Sequence, residues 1–525
     1  MRAIRALTAF LAMLAWTTPW ALAEAADCDA TPGVERLLQT GWGIDLRASR
    51  FQPDTTISAD NAGSLRLRWA YGLGTNAPRV FPLVSEDTIF IGDGGVGIVA
   101  LDRETGCVRW VNDVVEDAST ALSPGRIGER TVLVGAGRMS GVFALDAASG
   151  ETLWHRRVTD DNPVAMYSGS PLVFEDRVFV PISSMEIGLS ANPIYGCCVT
   201  SGGMAALDLA TGETRWYLRT IPEPAQVTGS HWLFVDEHGP SGAPVWQAPT
   251  LDAQRRQLYF GTGQNYSHPT TATSDAIFAV DIDSGDTRWV SQFTKGDAFN
   301  MACGVRGVNC PDPMGPDVDF GAPPLLLRTA DGADVLLAGQ KSGDIWAIDP
   351  ATGATRWHRR IGRGGALGGI HWGMAADEGR GLLFVPISDV EALPGEGEAE
   401  PGLFALDIAT GERAWSAPRI QLCEDGRCSS GLSAAITAAD GVVVTGGLDG
   451  RLEVLGTESG EVIWSFDTQR AFDAVNDVET HGGAIDAHGP VFADDLLIAV
   501  SGYGSFRQTP GNALLVFELA RDAAP

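Results

Sequence analysis

The sequence predicts an all-β fold, namely an eight-bladed β-propeller whose blades share a tryptophan repeat (a W-motif). Seven times along the chain, a pattern of the type Ala-x-Asp-x-x-(Thr/Ser)-Gly is followed by a tryptophan four residues after the glycine. A β-rich apolar run precedes each copy, and one strand at each end of the chain lacks a matching copy. Repeats with unmatched terminal strands are typical of propellers, in which the two ends of the chain complete one blade.

Each copy has the residue types of two strands joined by a tight turn. Aspartate hydrogen bonds its own backbone and glycine tolerates positive φ, so both suit the turn, while tryptophan is large enough to fill the gap between blades. The copies are Asp102, Gly106 and Trp110; Asp146, Gly150 and Trp154; Asp208, Gly212 and Trp216; Asp281, Gly285 and Trp289; Asp349, Gly353 and Trp357; Asp407, Gly411 and Trp415; and a degenerate last copy, Gly456, Gly460 and Trp464.

The strand before each copy is predicted from its β-rich run. These runs are residues 88–91, 131–134, 177–180, 258–260, 335–338, 382–385 and 442–444, with an eighth at 496–500. The eighth is followed by residues 514–519, after which no tryptophan comes, whereas residues 65–71 carry Trp69. We therefore expect 65–71 to pair with 514–519, which completes eight blades and removes the open sheet edges.

The first 23 residues are predicted to be a signal peptide. Arg2 and Arg5 form a basic start, residues 6–20 are apolar and uncharged, and a small-x-small cleavage site ends at Ala23. The apolar run is too short for a stable membrane anchor. We expect residues 24–525 to form a single propeller that is exported to the periplasm as a soluble protein.

The chain is strongly acidic, with a formal net charge of −29. Cleavage after Ala23 would remove two arginines and no acidic residue, so −29 becomes −31. This charge argues against nucleic acid as a partner, because phosphate binding needs a basic surface. It favours solubility, and it can also steer a basic partner towards the protein.

Eight cysteines, an even number, are expected to pair in an oxidising compartment. Three pairs are close in sequence and leave two cysteines for each other: Cys197–Cys198, Cys303–Cys310, Cys423–Cys428 and Cys28–Cys107. A zinc site is the alternative, but no histidine has ligand spacing around these cysteines. The chain has no Cys-x-x-Cys-His motif, so we expect no c-type haem in it.

Three long segments widen the middle of the repeat. They are residues 185–203, 220–245 and 294–319. Long loops on a rigid scaffold often carry binding and catalytic residues, so we expect the functional site among them.

The tryptophan repeat resembles that of the quinoprotein alcohol dehydrogenases, which bind pyrroloquinoline quinone at the propeller axis. Several phrases are most similar to the polyvinyl alcohol dehydrogenases: Gly-Ala-Pro-Val-Trp at 242–246, Gly-Pro-Asp-Val-Asp-Phe-Gly-Ala at 315–322, the Cys-Cys pair, and Ser-Gly-Tyr-Gly at 501–504 with Pro-Gly-Asn at 510–512. The resemblance covers nearly the whole mature chain. Non-catalytic propellers share the repeat, among them a scaffold lipoprotein of outer-membrane protein assembly, so the site residues must decide the function.

The resemblance implies a calcium site and a cofactor-binding hydroxyl. In the family a glutamate three residues after a serine binds calcium, and Glu186 follows Ser183 at that spacing. Ser168 lies fifteen residues before Ser183, where the family places a hydroxyl that bonds the cofactor. Calcium prefers oxygen ligands, as these side chains supply. The alternative is a solvated loop glutamate after an edge strand.

A second calcium segment is implied by Gly-Thr-Gly-Gln-Asn at 261–265. The family has asparagine directly after Gly-Thr-Gly, whereas here Gln264 stands there and Asn265 follows, so either amide is a candidate ligand. Trp246 lies eighteen residues before Gln264, the distance at which the family has the tryptophan that stacks on the cofactor. Its flat indole would form the floor of the quinone site, the alternative being an ordinary core tryptophan.

Asp319 is the candidate general base and a further calcium ligand. The family's base precedes a phenylalanine and small residues that lead into an apolar strand, as Asp319 does here. Alcohol oxidation needs a base to take the hydroxyl proton while hydride leaves. Asp317 and Asp297 are the rivals. Lanthanide-using relatives have another aspartate two residues after the base, where this chain has Gly321, so calcium is the expected metal.

Five further residues are matched less closely by the resemblance. Lys341 occupies the place where relatives have arginine or lysine beside the quinone oxygens, and a surface turn lysine is the alternative. His371 and Trp372 lie in a loop that approaches the cofactor in relatives. For the arginine that pairs with a cofactor carboxylate, Arg126 and Arg130 are the candidates.

The sequence therefore predicts a periplasmic quinoprotein dehydrogenase that oxidises an alcohol, with a secondary alcohol resembling polyvinyl alcohol as the expected substrate. Pyrroloquinoline quinone and calcium are the expected cofactors. A soluble cytochrome c is the expected electron acceptor, because the chain carries no haem motif of its own. The alternative is a propeller scaffold of the outer-membrane assembly type that has lost the cofactor.

Overall fold

The fold is an eight-bladed β-propeller, as the repeat predicts. The computed structural model describes residues 28, 31–158, 162–231, 234–390, 393, 397–420 and 429–520. Within them, each of eight sheets contains a four-stranded antiparallel blade, and the blades follow one another in sequence order. The predicted signal peptide, residues 1–23, lies outside the described residues, as does the Cys423–Cys428 pair.

Blades 1 to 4 come from the first half of the chain. Their strands, blade by blade, are Leu83–Val84, Thr88–Asp93, Gly97–Asp102 and Val108–Asn112; Ser123–Ile127, Arg130–Gly137, Gly141–Asp146 and Thr152–Arg156; Leu172–Phe174, Arg177–Ser184, Gly203–Asp208 and Thr214–Arg219; Thr250–Asp252, Gln257–Gly261, Ala276–Asp281 and Thr287–Gln292. Neighbouring inner strands enclose the core between blades, where Val132 and Val134 of blade 2 pack in one cluster with Val178 and Val180 of blade 3.

Blades 5 to 8 complete the ring. Their strands are Leu325–Arg328, Asp334–Gly339, Asp344–Ile348 and Thr355–Arg360; Ala375–Asp377, Leu382–Ile387, Gly402–Asp407 and Arg413–Pro418; Thr437–Ala439, Val442–Gly446, Arg451–Gly456 and Val462–Asp467; Val491–Ala493, Leu496–Ser501, Ala513–Leu519 and Leu65–Gly72. The strand from the N-terminal region is thus the outer strand of the last blade. It pairs antiparallel with Ala513–Leu519, from Leu65 opposite Leu519 to Gly72 opposite Ala513, so the predicted closure is confirmed.

The repeat tryptophans dock each blade on the next. The indole N–H of Trp110 donates to the carbonyl of Ala147 at 3.1 Å, and Gly150, with φ +74°, lies against the indole ring. A Cβ on Gly150 would come within 2.7 Å of that ring, so the position requires glycine for both its conformation and its closeness. The equivalent donations run around the ring, from Trp69, Trp154, Trp216, Trp289, Trp357, Trp415 and Trp464 to Arg103, Leu209, Ile282, Pro350, Ile408, Thr457 and Leu65.

The remaining elements are short. The additional strands are Phe51–Gln52, Ala165–Met166, Gln226–Ser230, Asp236–Gly239, Ser241–Gly242, Asn265–Ser267, Ala471–Phe472 and Thr480–His481, and the helices are Glu186–Leu189 and the 3-10 turns Ala62–Ser64, Cys303–Val305 and Ser505–Arg507. In the described part of the chain, no helix has the length and apolar character needed to span a membrane. Three of the predicted disulfides are present: Cys28–Cys107, Cys197–Cys198 and Cys303–Cys310.

Candidate active site

A cavity of about 590 Å³ brings together residues that are far apart in sequence. Trp246 lies just before the first strand of blade 4, Asp319 just before the first strand of blade 5, and Lys341 between the second and third strands of blade 5. Nine residues named above line the cavity: Ser168, Ser183, Trp246, Gln264, Asp317, Asp319, Lys341, His371 and Trp372. The long segment 294–319 contributes to this wall, as its length predicts.

Trp246, Asp319 and Lys341 form one connected group. The indole N–H of Trp246 donates to Oδ2 of Asp319 at 2.7 Å. Nζ of Lys341 lies 3.5 Å from the same Oδ2 and 3.5 Å from Oδ1 of Asp317, and 5.4 Å from the centroid of the Trp246 ring. Both donors approach Oδ2, so Oδ1 of Asp319 is left to Gln264 and the cavity.

Lys341 is a buried cation between carboxylates. Burial alone favours the neutral amine, but Asp317 and Asp319 outweigh it and raise the pKa of Lys341, so the side chain is an ammonium ion at neutral pH. Burial has the opposite effect on an acid, and it raises the pKa of Asp317 above its usual range. The site therefore holds a fixed positive charge next to Asp319.

Asp297, the other rival for the base, has a different place. Its two carboxylate oxygens accept the backbone N–H groups of Asp317 at 3.1 Å and Val318 at 2.9 Å. Burial raises the pKa of Asp297 to about 6, although the Val318 N–H opposes this. Asp297 thus holds the backbone that carries Asp319, and it is absent from the described wall of the cavity.

The two amide candidates for a calcium ligand are separated by the structure. The side-chain amide of Gln264 lies 2.6 Å from Oδ1 of Asp319, where its nitrogen donates to the carboxylate or its oxygen joins Oδ1 as a second oxygen donor to a cation. The Asn265 amide instead donates to the carbonyl of Ser241 at 2.9 Å and accepts the Thr271 N–H at 2.9 Å. Gln264 therefore faces the site, whereas Asn265 holds the surrounding backbone.

Calcium fits this donor set in part. Gln264 and Asp319 supply one neutral and one charged oxygen donor, which is the chemistry that calcium prefers. Among the described residues, no three His, Cys, Asp or Glu side chains are grouped to hold a metal.

Glu186, the predicted glutamate ligand, is fully buried at the start of the helix Glu186–Leu189, so the solvated-loop alternative is wrong. Its carboxylate accepts hydrogen bonds from the side chain of Tyr195 and from Val199 and Thr200. Glu186 is not among the described residues that line the cavity, but its neighbour Ile187 is. A calcium role for Glu186 stays a prediction.

Two arginines that sequence reasoning missed line the cavity, namely Arg79 and Arg138. Arg79 donates to the carbonyl of Ser168 at 2.9 Å and lies 4.7 Å over the Trp372 ring, while its buried Nε has no hydrogen-bond partner. An unpaired buried donor is costly unless a ligand completes it. Arg126 and Arg130, the sequence candidates, are exposed on blade 2. No repeat or motif marks Arg79, so the sequence held no signal for it.

The floor of the cavity is formed by aromatic rings that pack edge to face. Trp246 packs edge-on against Trp372, with centroids 5.4 Å apart at 86°, and Trp372 packs in turn against His488 at 5.9 Å. Trp42 donates from its indole to Nδ1 of His488 at 2.9 Å. Burial, followed by the charge of Arg79, lowers the pKa of His488 to about 3, so the ring is neutral and can accept this bond. Through this hydrogen bond to His488, the segment around Trp42 supports the aromatic floor of the cavity.

The vicinal pair Cys197–Cys198 lies behind the cavity wall. Both cysteines are buried, and they pack with Tyr266, Ile187 and Tyr195. Of these, Tyr266 and Ile187 line the cavity. The disulfide thus supports the wall from one layer outside.

Comparisons with known proteins agree with this fold. A family model described as outer membrane protein assembly factor BamB matches residues 53–298 and 274–521. A polyvinylalcohol dehydrogenase of Sphingopyxis sp. is 33% identical over 501 residues, covering 91% of this chain and 76% of that protein. A quinohemoprotein alcohol dehydrogenase of Comamonas testosteroni is 24% identical over 81% of this chain and 68% of its own length.

Solved structures share the fold. The crystal structure of quinohemoprotein alcohol dehydrogenase from Comamonas testosteroni superposes with a TM-score of 0.69 and 19% identity, covering 93% of this chain and 82% of that chain. BamB from Moraxella catarrhalis gives a TM-score of 0.51 with 16% identity, covering 86% of this chain and 99% of that chain. At these identities the likeness extends to the fold alone.

The sequence relatives assign this propeller to the quinoprotein class. With 33% identity over most of both sequences, the chain belongs to the quinoprotein alcohol dehydrogenase family, in its polyvinyl alcohol dehydrogenase branch. The family resemblance indicated by the sequence is thereby confirmed.

Proposed function

We propose that the protein is a periplasmic quinoprotein dehydrogenase that oxidises an alcohol with pyrroloquinoline quinone and calcium. The observation that carries the proposal is the convergence of Trp246, Gln264, Asp319 and Lys341 on one cavity. These residues come from separate segments, and a scaffold has no need to bring them together. The favoured substrate is a secondary alcohol of the polyvinyl alcohol type, since relatives at 33% identity are named for that polymer.

The cofactor-binding residues follow from shape and charge. Trp246 offers a flat floor, and Ser168 and Ser183 offer buried hydroxyls that are 3.3 Å apart. Arg79, with its unpaired Nε, and Arg138 suit the carboxylates of the cofactor. Lys341 suits its quinone oxygens, because a fixed ammonium stabilises negative charge that develops there.

Asp319 is the proposed base. The quinone, when bound, supplies an acceptor for hydride, and calcium supplies a Lewis acid beside it. Asp319 takes the hydroxyl proton of the alcohol, and Trp246 and Lys341 hold its carboxylate in place through Oδ2. Gln264, together with Asp319, is the proposed calcium ligand of the protein.

The electron acceptor is proposed to be a separate cytochrome c. The sequence contains no Cys-x-x-Cys-His motif that could attach a haem. Its net charge of −29 would attract a basic carrier. The signal peptide predicted at residues 1–23 would deliver the protein to the periplasm, where such carriers act.

Reconstitution tests the proposal. The purified protein is incubated with pyrroloquinoline quinone and Ca²⁺, passed over a desalting column, and its absorbance spectrum is recorded. We expect bound quinone and alcohol-dependent reduction of an artificial acceptor dye. Failure to retain quinone, with no oxidation of primary or secondary alcohols or of polyvinyl alcohol, would favour the scaffold alternative.

A further inference from the structure

We propose that Glu186 is a positioning residue, which sets the wall of the alcohol site by holding the loop that contains Cys197–Cys198. Four donors surround its carboxylate. They are the Tyr195 hydroxyl at 2.8 Å, the Val199 N–H at 3.0 Å from each oxygen, and the Thr200 N–H at 2.7 Å and hydroxyl at 2.5 Å. Tyr195 precedes the disulfide and the other two residues follow it, so the carboxylate of Glu186 binds the loop on both sides of the disulfide.

The carboxylate is satisfied by these contacts. An ionised carboxylate offers about four lone-pair positions, and the four donors occupy them. Burying such a charge is costly unless hydrogen bonds compensate it, and Glu186 is fully buried. The loop donors thus provide the compensation without a metal ion.

The loop in turn positions three residues of the cavity wall. Ile187 follows Glu186 directly, and its carbonyl accepts the Met301 N–H at 2.9 Å. Tyr266 packs against the disulfide. Ile187, Met301 and Tyr266 all line the cavity. This step rests on the proposed function, because the wall can affect alcohol oxidation only if the cavity binds an alcohol.

The hydrogen bonds from Tyr195, Val199 and Thr200 to Glu186, here called the clamp, are tested on the apoprotein. A chelator is present, so that calcium cannot contribute. The rate at which dithiothreitol reduces Cys197–Cys198 is followed by thiol labelling and mass spectrometry, with Cys28–Cys107 of the same molecules as the internal control. Glu186→Gln should speed reduction about 10-fold or more, because loss of an acceptor oxygen raises the frequency of local opening. Tyr195→Phe and Thr200→Val each remove a donor but keep the carboxylate, and should speed it less, by about 3-fold.

Unchanged reduction rates in all three variants would overturn the clamp. Rates that differ from the parent only when Ca²⁺ is present would also overturn it, in favour of a calcium-ligand role for Glu186. If Glu186→Gln does not fold, the two donor variants decide the matter alone.

The loaded enzyme gives a second readout. Thr200→Val should raise KM for the alcohol while kcat stays within about 2-fold, because Asp319 and Trp246 keep their contacts. An unchanged KM despite faster reduction would remove the positioning role. If the variants show faster disulfide reduction but neither they nor the parent oxidise any alcohol, the clamp is supported and the proposed function is contradicted.

Discussion

The indole N–H of Trp246 donates to Oδ2 of Asp319 at 2.7 Å, so the proposed cofactor floor and the proposed base are joined by a hydrogen bond. Lys341 contacts both, through the same carboxylate oxygen and across the ring of Trp246. A change in any one of the three should therefore alter the other two.

Trp246→Phe separates the two roles of the indole. The variant keeps a flat ring but loses the bond to Asp319, so we expect quinone to be retained and kcat to fall about 10-fold, the value of a hydrogen bond to a charged group. Trp246→Ala should lose the quinone as well. The measurements are the retained absorbance after desalting and the steady-state kcat. Equal quinone retention by the two variants would show that the aromatic ring at position 246 does not hold the cofactor.

Arg79→Gln should weaken the retention of pyrroloquinoline quinone by about 10-fold, because it removes a charged side chain whose Nε has no hydrogen-bond partner. Arg126→Gln, on the exposed face of blade 2, is the matched control and should bind like the parent. Equilibrium titration of quinone into each apoprotein measures the difference. Loss of affinity in the control alone would restore the sequence-based assignment.

Substitutions at Gln264 should shift calcium affinity in opposite directions. Gln264→Leu removes an oxygen donor and should raise the Ca²⁺ concentration for half-reconstitution about 10-fold, whereas Gln264→Glu adds a charged ligand and should lower it. Reconstitution is followed by quinone absorbance at increasing free Ca²⁺. A common direction for both variants would mean that Gln264 acts through folding and not as a ligand.

Asp93 should make the protein less stable as pH rises. Burial raises its pKa to about 7, from an ordinary value of 3.8, so the fold favours the neutral acid. This stabilisation is complete below about pH 4 and is lost as pH rises through 7. Asp93→Asn should flatten the pH dependence of the free energy of unfolding, measured by denaturant titration between pH 4 and 8.

Asp208 serves as the control of opposite sign. Hydrogen bonding from Arg215 lowers the pKa of Asp208, so its stabilisation is present at neutral pH and lost in acid. Asp208→Asn should therefore lower stability at pH 7 more than at pH 3. For Asp93, the contradicting result is a free energy of unfolding that varies with pH in the same way for the parent and Asp93→Asn. It would mean that Asp93 does not titrate between pH 4 and 8.

The sequence predicts the architecture well because the information is local and repeated. The turn glycine and the tryptophan of each copy lie within one blade, and the docking of Trp110 on Gly150 is the same contact as its counterparts around the ring. The repeat leaves the last blade without an outer strand, and the unmatched strand Leu65–Gly72 pairs at that position. Fold, family and three disulfides are accordingly confirmed.

The site is predicted only in part. The sequence gives the identity and spacing of the residues, but not the direction in which each side chain points. Gln264 and Asn265 are adjacent and chemically alike, yet one faces Asp319 and the other bonds the backbone of Ser241. Arg79 enters the cavity from a segment with no motif. Roles for Asp319, Trp246, Lys341, Ser168, Ser183 and the metal ligands remain predictions.

Replacing Asp319 asks whether its carboxylate accepts the proton of the alcohol. Asp319→Asn preserves shape, so at saturating Ca²⁺, which compensates for the lost charged ligand, folding and quinone retention should stay close to those of the parent while kcat falls about 10²–10⁴-fold. Asp297→Asn, whose amide can still accept a backbone N–H from the loop, should reduce kcat far less. The reverse order, with Asp297→Asn inactive and Asp319→Asn active on the reconstituted enzyme, would contradict the account.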